Sequence, residues 1–412
     1  MKKRILLVGY NYFPEPTGIG KYSGEMMHWL AAAGYTCEVI TAYPYYPFWK
    51  VQEPYYAKRY GYHKESYDFA SGGSITIHRC PMYIPEKPSG LKRMLLDLSF
   101  SISAFFKIAQ ISIKKPFDCI IAVAPSFQFG LLGVFYKKIK GAKFVYHVHD
   151  MQIEVAQDLK MIKSKSIIDL LFKVEKYIFN KSDIISSISE QMVNRIKVKA
   201  NKDVLLFPNW VDNTKFFPLK DKGLLKQSFG FSPQDKIILY SGGIGEKQGL
   251  ESIVFAAKEF AHQPEVKFLI CGSGPYKEKL MALVSEMSLS NITFFPLQPV
   301  EKFNAFLNMA DLHLVIQKAN ASDLMMPSKL TTILAVGGLA LITANEGSGL
   351  HMLVQNHQVG VLAEAENQLA LNEAISYALY APTDDLRRNA QQYAENYLFI
   401  DKIMSEFVKH LN

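Results

Sequence analysis

A short apolar run that breaks into glycines and then gives way to a helical pattern recurs along this chain. The clearest case covers residues 239–250, where Leu239, Tyr240 and Ser241 lead into four glycines and a lysine. Continuous apolar strands that alternate with helices are typical of a parallel sheet covered on both faces. The recurring pattern therefore predicts an α/β fold.

Two series of these strand-and-helix units are present. The predicted strands of the first half are 4–9, 37–41, 119–124 and 144–149, and those of the second half are 236–241, 266–271, 292–295, 312–316 and 339–343. A chain of 412 residues is also too long for one compact core. We predict two Rossmann-like doubly wound parallel-sheet domains, 1–205 and 206–385, that face a central cleft, followed by a helical segment, 386–412, that crosses back to the first domain.

Charge and cysteine content narrow the possible partners and compartment. The formal charge of +8 favours an anionic partner, which could be a phosphorylated small ligand or an anionic membrane surface. Nucleic acid is not expected, because the basic residues are dispersed and no binding motif is present. The four cysteines are far apart, which indicates reduced thiols and a cytoplasmic protein. No uninterrupted apolar run reaches the roughly 18 to 20 residues of a membrane-spanning helix.

The second half contains several turns that could hold a phosphate group. Glycines let backbone N–H groups approach an anion closely, and the start of the next helix adds a partial positive charge. Candidate residues of this kind are Gly242, Gly243, Gly245, Lys247, Gly272, Gly274, Ser328 and Lys329. The same turns also occur simply to pack a helix against a sheet, so both interpretations stay open.

The first half offers a second glycine turn and a histidine pair. Gly18 and Gly20 follow the first strand, but the glycine spacing of a dinucleotide-binding fingerprint is missing, which argues against a nicotinamide enzyme. His147 and His149 lie on one face of a strand, and His149 is followed by Asp150. His149 at the strand end could reach the cleft and act in acid–base chemistry, whereas His147 is better explained as a hydrogen-bonded histidine beneath a helix.

Two segments interrupt the regular pattern. Residues 43–67 are rich in Tyr and Pro and form either an acceptor-binding element with an aromatic surface or a packed insert. Residues 91–115 form an apolar helix with basic ends, which suits an interfacial membrane helix as well as an ordinary packing helix.

Taken in order, these motifs resemble those of the retaining glycosyltransferases of family 4, which have the two-domain arrangement called GT-B. The resemblance covers nearly the whole chain and rests on residues 16–20, 183–189, 207–212, 242–249, 272–275 and 309–312. Within the family the chain is most similar to transferases of exopolysaccharide assembly, especially the colanic-acid fucosyltransferase-like group.

The resemblance implies transfer of a sugar from a nucleotide-sugar donor to a lipid-linked or growing polysaccharide acceptor, without a metal or other cofactor. GDP-fucose is the favoured donor and a UDP-sugar is possible. The first domain would bind the acceptor and the second the donor. The apolar helix at 91–115 and the basic net charge favour peripheral association with the inner face of the cytoplasmic membrane. The implied catalytic residues are His149, Asp150 and Lys247. The implied donor-binding residues are Gly18, Gly20, Gly242, Gly243, Gly245, Gly272, Gly274, Asp323, Ser328 and Lys329.

The chain also departs from the family pattern. Gly243 and Gln248 stand where many relatives carry Arg and Lys, and Leu324 and Thr332 stand where the paired glutamates would fall, with Asp323 as a near neighbour. Lys247 or Lys329 would have to supply the positive charge. Two alternatives follow: a sugar-nucleotide epimerase, and a non-catalytic nucleotide- or sugar-binding scaffold of an assembly complex.

Overall fold

The computed structural model describes residues 3–16, 18–158, 164–319 and 327–411, with all of their side chains except those of 155, 156, 158 and 247. The chain divides into two compact units. The first unit comprises Met1–Phe207 together with Glu406–Asn412, and the second comprises Pro208–Ser405.

The first unit is built on an eight-stranded sheet with the order β3-β4-β2-β1-β5-β6-β7-β8. All neighbouring strands are parallel except β3, which pairs antiparallel with β4 at the edge. The strands are β1 Arg4–Val8, β2 Thr36–Ala42, β3 His63–Asp68, β4 Ser74–Cys80, β5 Cys119–Ala124, β6 Lys143–Val148, β7 Ile184–Ser187 and β8 Leu205–Leu206. Every residue of β5 is buried, as expected for a strand covered on both faces.

The described helices of the first unit follow its parallel strands. They are α1 Gly18–Ala32, α2 Gly90–Ser112, α3 Phe129–Lys140, α4 Gln152–Asp158, α5 Lys165–Lys181 and α6 Glu190–Ala200. Leu96, Phe100, Ala104 and Ile108 of α2 are buried in the core beside the sheet. The helix therefore packs one face on the protein and leaves the other exposed.

Helix α2 is relevant to the expectation that no uninterrupted apolar run is long enough to span a membrane. Among the described residues it is long and apolar enough, by length and composition, to cross a membrane. Its most apolar window is 39% buried inside the protein, and core helices of soluble proteins pass the same test. Length and composition alone are therefore weak evidence for a spanning helix here.

The tyrosine-rich segment combines the two structures considered for it. Tyr43 and Tyr45 are buried, and the segment ends in strand β3, which extends the sheet. Phe48 and Tyr60 are instead largely exposed. The inner side of this segment is a packed insert, and its outer side presents aromatic rings.

The second unit is a six-stranded, fully parallel sheet with the order β11-β10-β9-β12-β13-β14. Its strands are β9 Lys236–Ser241, β10 Val266–Cys271, β11 Ile292–Phe295, β12 Leu312–Val315, β13 Ala340–Thr343 and β14 Gly360–Ala363. Its described helices are α7 Lys222–Ser228, α8 Glu251–Glu259, α9 Lys277–Glu286, α10 Val300–Asn308, α11 Ser328–Ala335, α12 Gly349–His357, α13 Gln368–Tyr380 and α14 Asp384–Tyr397, with the first half of α15, Ile400–Leu411. The predicted pair of doubly wound parallel sheets is thus confirmed.

Apolar residues on both faces of this sheet form two separate cores. The polar stretch before β9 contains helix α7, whose Lys226 forms an ion pair with Asp311 at 2.7 Å. The segment is therefore part of the second unit.

Candidate functional site

The strand order of the second unit reverses between β9 and β12, because β10 and β11 lie on one side of β9 and β12 to β14 on the other. Open α/β sheets bind ligands at the carboxyl ends of the strands beside such a switch point. Three described segments meet there: loop 242–249 after β9, loop 272–275 after β10, and the first turn of α11.

The two glycine loops are held together by backbone hydrogen bonds. The Gly242 N–H donates to the Cys271 carbonyl and the Ile244 N–H to the Ser273 carbonyl, both at 2.9 Å. A Cβ on Gly272 would lie 1.9 Å from the Gly242 carbonyl oxygen, and one on Gly274 would lie 2.0 Å from that of Ile244. Close packing of the loops therefore explains why these two positions are glycine.

Lys329 places a buried ammonium group against the first of these loops. Its Nζ lies 3.8 Å from the centre of the Tyr240 ring, and 3.2 Å from where a Cβ on Gly242 would be. Among the described residues Nζ has no hydrogen-bond partner. Burial lowers the pKa of Lys329 to about 7. An anion bound beside Gly242 would supply the missing partner and favour the protonated form.

The start of helix α11 adds backbone donors next to this lysine. Ser328, the first residue of the helix, is exposed and follows Pro327, and the helix has no side-chain cap. The first N–H groups of a helix lack partners within the helix and attract anions. The start of α11 and the Lys329 ammonium group therefore lie beside Gly242. Backbone donors and a positive charge in one place suit a phosphate group.

In loop 242–249, Gly243 and Gln248 occupy the positions where the family pattern has Arg and Lys. Gly243 is exposed with open space around its Cα, and the Gln248 side chain accepts a hydrogen bond from the Gly245 N–H at 3.1 Å. Gln248 therefore stabilises the loop. Lys247 lies in a 3-10 turn, Glu246–Gln248, but its side chain is outside the described structure, as is all of Asp323. Their predicted roles stay predictions.

Lys318 is a cation near the site that the sequence patterns did not single out. Its side-chain Cγ lies 3.2 Å from where a Cβ on Gly249 would be, so the segment after β12 reaches the loop after β9. Its position just past a strand at the switch point is the signal that could have identified it.

In the first unit, Gly18 and Gly20 lie at the start of α1, at the carboxyl end of β1. Gly18 has a φ of 61° and open space beside it. A Cβ on Gly20 would lie 2.5 Å from Oε2 of Glu15, so Gly20 makes room for this side chain. Glu15 was not singled out from the sequence.

Glu15 is a buried carboxylate, only 2% exposed, with three hydrogen bonds. Oε1 accepts from the backbone N–H groups of Tyr45 and Tyr46 at 3.1 and 3.0 Å, and Oε2 accepts from the Asn11 side chain at 2.8 Å. Burial raises the pKa of Glu15 to about 7, although these bonds oppose the shift. The carboxylate joins the β1–α1 turn to the tyrosine-rich segment.

His147 and His149 form a buried pair at the end of β6, with ring centres 4.4 Å apart. Nδ1 of His147 lies 2.9 Å from the Ser186 hydroxyl on β7. Burial lowers the pKa of both rings, that of His149 to about 4, so both are neutral at pH 7. Asp150 is exposed beside them. Strand β5 separates this pair from the Gly18 turn.

Two doubly wound sheets of this kind are the architecture of the GT-B class of glycosyltransferases. The sequence matches the family described as "Glycosyl transferase 4-like domain" over residues 17–210 and that described as "Glycosyl transferases group 1" over residues 221–397. The chain belongs to the family 4 glycosyltransferases.

One full-length relative supports this assignment, and two solved structures match the fold. The chain is 39% identical to "Putative colanic acid biosynthesis glycosyl transferase WcaI" of Escherichia coli K12 over 99% of each chain. Its fold is similar to that of a sucrose-phosphate synthase from Thermosynechococcus elongatus, with a TM-score of 0.73, 18% identity and coverage of 99% and 98%. It is also similar to Anabaena HepE, solved with UDP and glucose, with a TM-score of 0.67, 13% identity and 99% coverage of each chain.

Proposed function

We propose that this protein is a retaining, metal-independent glycosyltransferase of exopolysaccharide biosynthesis. It transfers a sugar from a nucleotide donor to a lipid-linked or growing polysaccharide acceptor at the cytoplasmic side of the membrane. The printed name of the Escherichia coli relative supports the exopolysaccharide assignment at 39% identity. Fucose from GDP-fucose is the favoured donor sugar on family resemblance.

The observation that carries the proposal is the buried Lys329 ammonium group at the switch point of the second unit, which has no hydrogen-bond partner within the described part of the chain. In sugar transfer the bond from the anomeric carbon to the diphosphate breaks, and negative charge develops on the leaving phosphate. Preorganised donors that meet this charge lower the barrier. Lys329 and the first turn of α11 are such donors, and a fixed lysine can do this without a metal ion.

The remaining predicted residues complete the proposal. Lys247 adds a second positive charge for the diphosphate, and Asp323 belongs to donor binding. Gly18, Gly20, His149 and Asp150 serve the sugar end of the donor and the acceptor. Retention follows from front-face attack, in which the leaving phosphate takes the acceptor's proton.

A thermal-shift screen tests donor binding. We expect a guanine nucleotide, and GDP-fucose above all, to raise the melting temperature by mass action, with or without EDTA. A shift that EDTA abolishes contradicts metal independence. No shift with GDP, UDP, ADP or their sugar conjugates favours the scaffold alternative. Conversion of donor alone into an isomer, followed by NMR, favours the epimerase.

The membrane association rests on the exposed side of α2. Leu91, Met94, Leu98, Ile102 and Phe106 are each more than half exposed and recur at helical spacing. Basic residues Lys92, Arg93, Lys107, Lys114 and Lys115 accompany them, whereas the one acidic residue of α2, Asp97, is buried. An apolar stripe with basic neighbours suits an anionic lipid surface.

Vesicle co-sedimentation tests this association. We expect binding to phosphatidylglycerol vesicles at low salt and loss of binding in Leu98→Glu/Ile102→Glu. The matched control is Leu369→Glu, at an exposed position on α13 of the second unit. Equal binding of the double variant and the wild type would remove α2 from the proposal.

A further inference from the structure

We propose that a groove on the outer side of the tyrosine-rich segment is a saccharide-binding subsite for the acceptor. This inference rests on the proposed transferase function. The groove, called here the aromatic groove, has a volume of about 460 Å³ and is lined by Phe48, Lys50, Val51, Gln52, Glu53 and Tyr56. Small-molecule sites commonly have volumes of roughly 300 to 1,000 Å³.

The lining combines exposed aromatic rings with polar groups. Phe48 is 69% exposed and Tyr56 is 38% exposed. The Arg59 guanidinium lies 3.6 Å from the centre of the Tyr56 ring and covers one face of it, so a ligand would pack on Phe48 or on the opposite face of Tyr56. Large exposed aromatic side chains in one place usually mark a binding surface.

Gln52 provides an available hydrogen-bond donor in this lining. Its side-chain nitrogen, Nε2, is buried and has no partner among the described residues. Buried polar groups are normally paired, and each exception calls for an explanation. Donation from Nε2 to a ligand hydroxyl would break no hydrogen bond among the described residues.

Pyranose rings match these two properties together. One face of such a ring carries C–H groups that pack on the electron-rich face of an aromatic side chain, while its edge carries hydroxyl groups. Lys50 and Glu53 add a donor and an acceptor for hydroxyl groups beside the rings. A lipid chain would make no use of the amide, the ammonium and the carboxylate.

The groove is anchored at the ligand-binding edge of its own sheet. The tyrosine-rich segment begins after Ala42, the last residue of β2. Glu15 accepts hydrogen bonds from the Tyr45 and Tyr46 N–H groups of this segment. The same Glu15 side chain packs against Gly20 of the β1–α1 turn. Trp49 packs on Tyr45 at 5.7 Å, and Arg93 of α2 lies 5.2 Å from the Trp49 ring. These contacts fix the groove next to the turn proposed to serve the sugar.

Saturation-transfer NMR on the full chain tests the subsite directly. The probes are methyl glycosides of glucose, galactose, fucose and glucuronic acid, each with saturating GDP or UDP. We expect transfer to the ring protons of at least one probe, weakened about tenfold in Phe48→Ala and in Gln52→Ala. The control is Tyr67→Ala, an exposed ring of the same segment outside the groove, which should bind as the wild type does.

The possible outcomes separate this inference from the proposed function. Nucleotide binding without saturation transfer to any probe overturns the subsite and leaves the transferase assignment intact. Transfer that persists in Phe48→Ala and Gln52→Ala also overturns it. Groove-dependent transfer without any nucleotide binding would support the saccharide subsite and overturn the transferase assignment.

Discussion

Lys329 shows how a single side chain can be prepared for an anion. Its ammonium group is buried over Tyr240 and beside Gly242, where a neutral amine is nearly as stable as the charged form. Bound diphosphate would restore the charge, because a nearby opposite charge raises the pKa of an amine. Ligand binding and proton uptake should therefore be linked at this residue.

We predict that Lys329 takes up a proton when a nucleoside diphosphate binds at pH 8. The uptake should approach, and not exceed, about one proton per bound nucleotide. Calorimetry in two buffers of different ionisation enthalpy measures this uptake. In Lys329→Met the uptake should disappear and binding should weaken roughly 10- to 100-fold, since a charged hydrogen bond is lost. Lys258→Met, at an exposed site on α8, is the control. Uptake that is unchanged in Lys329→Met would contradict the assignment.

Glu15 gives a second prediction at the residue scale, with a defined sign. Its pKa is about 7 in the folded protein against an ordinary value of 4.5, so the folded state binds more protons than the unfolded state between these pH values. The free energy of unfolding should therefore fall as pH rises from about 4.5 to 7. Glu15→Gln cannot titrate, so it should remove this pH-dependent fall in the free energy of unfolding. Its side-chain oxygen can still accept hydrogen bonds from the Tyr45 and Tyr46 N–H groups.

Urea unfolding at several pH values measures the effect. The difference in stability, Glu15→Gln minus wild type, should increase by roughly 1 to 3 kcal/mol between pH 5 and pH 7.5. The buried histidines titrate in both proteins, so their opposite contribution cancels in the difference. A difference that does not change with pH would show that Glu15 titrates normally.

At the scale of elements, the glycine loops depend on one another. Gly272 has no room for a Cβ because the Gly242 carbonyl oxygen occupies that space. Gly272→Ala should cost about 1 to 3 kcal/mol, since backbone must move. The matched variant Gly243→Ala meets nothing within 4 Å and should change stability little. Thermal unfolding of both variants compares them, and equal melting temperatures would contradict the packing argument.

Three aspartates join neighbouring strands at their amino ends, opposite the glycine loops. The Asp118, Asp183 and Asp311 side chains each precede a strand and accept the backbone N–H at or near the start of a neighbouring strand: Arg4 at 2.7 Å, Phe144 at 2.8 Å and Ile237 at 2.8 Å. Asp183 and Asp311 belong to motifs that carried the family resemblance. These hydrogen bonds align neighbouring strands at the edge of the sheet opposite the glycine loops. Strand alignment therefore explains why aspartate occupies these motif positions.

At the scale of the whole molecule, the chain ends inside the unit in which it began. Phe407 is buried and stacks on Phe207 with ring centres 4.1 Å apart, and the Lys3 and Lys143 ammonium groups donate to the carbonyls of Leu411 and His410. The last turns of α15 thus belong to the first unit, although they are distant from its other residues in sequence.

Phe407→Ala should destabilise the first unit by about 3 to 5 kcal/mol, the usual cost of removing a buried phenylalanine. Hydrogen exchange should then quicken in peptides that contain β1 and β6, with little change in β9. Lys409→Ala, at an exposed position of the same helix, is the control. Faster exchange confined to the second unit would contradict this assignment of the C-terminal turns.

Strands β5, β9, β10 and β11 have the bounds predicted from the sequence, because a short, mostly apolar run is a local signal that the sequence records directly. Edge strand β3 and helix α7 were not predicted, since their polar residues show no such run and long-range pairing decides their structure.

The candidate site divides in the same way. The sequence by itself determined the fold class and the glycine, serine and lysine positions at strand ends, because strand, turn and helix signals are local. Only the tertiary structure decided that the Lys329 ammonium group is buried beside Gly242, that Gly272 and Gly274 serve loop packing, and that Glu15 lies under Gly20. Burial and the pKa shifts it causes depend on which distant segments surround a side chain, and no local pattern records that.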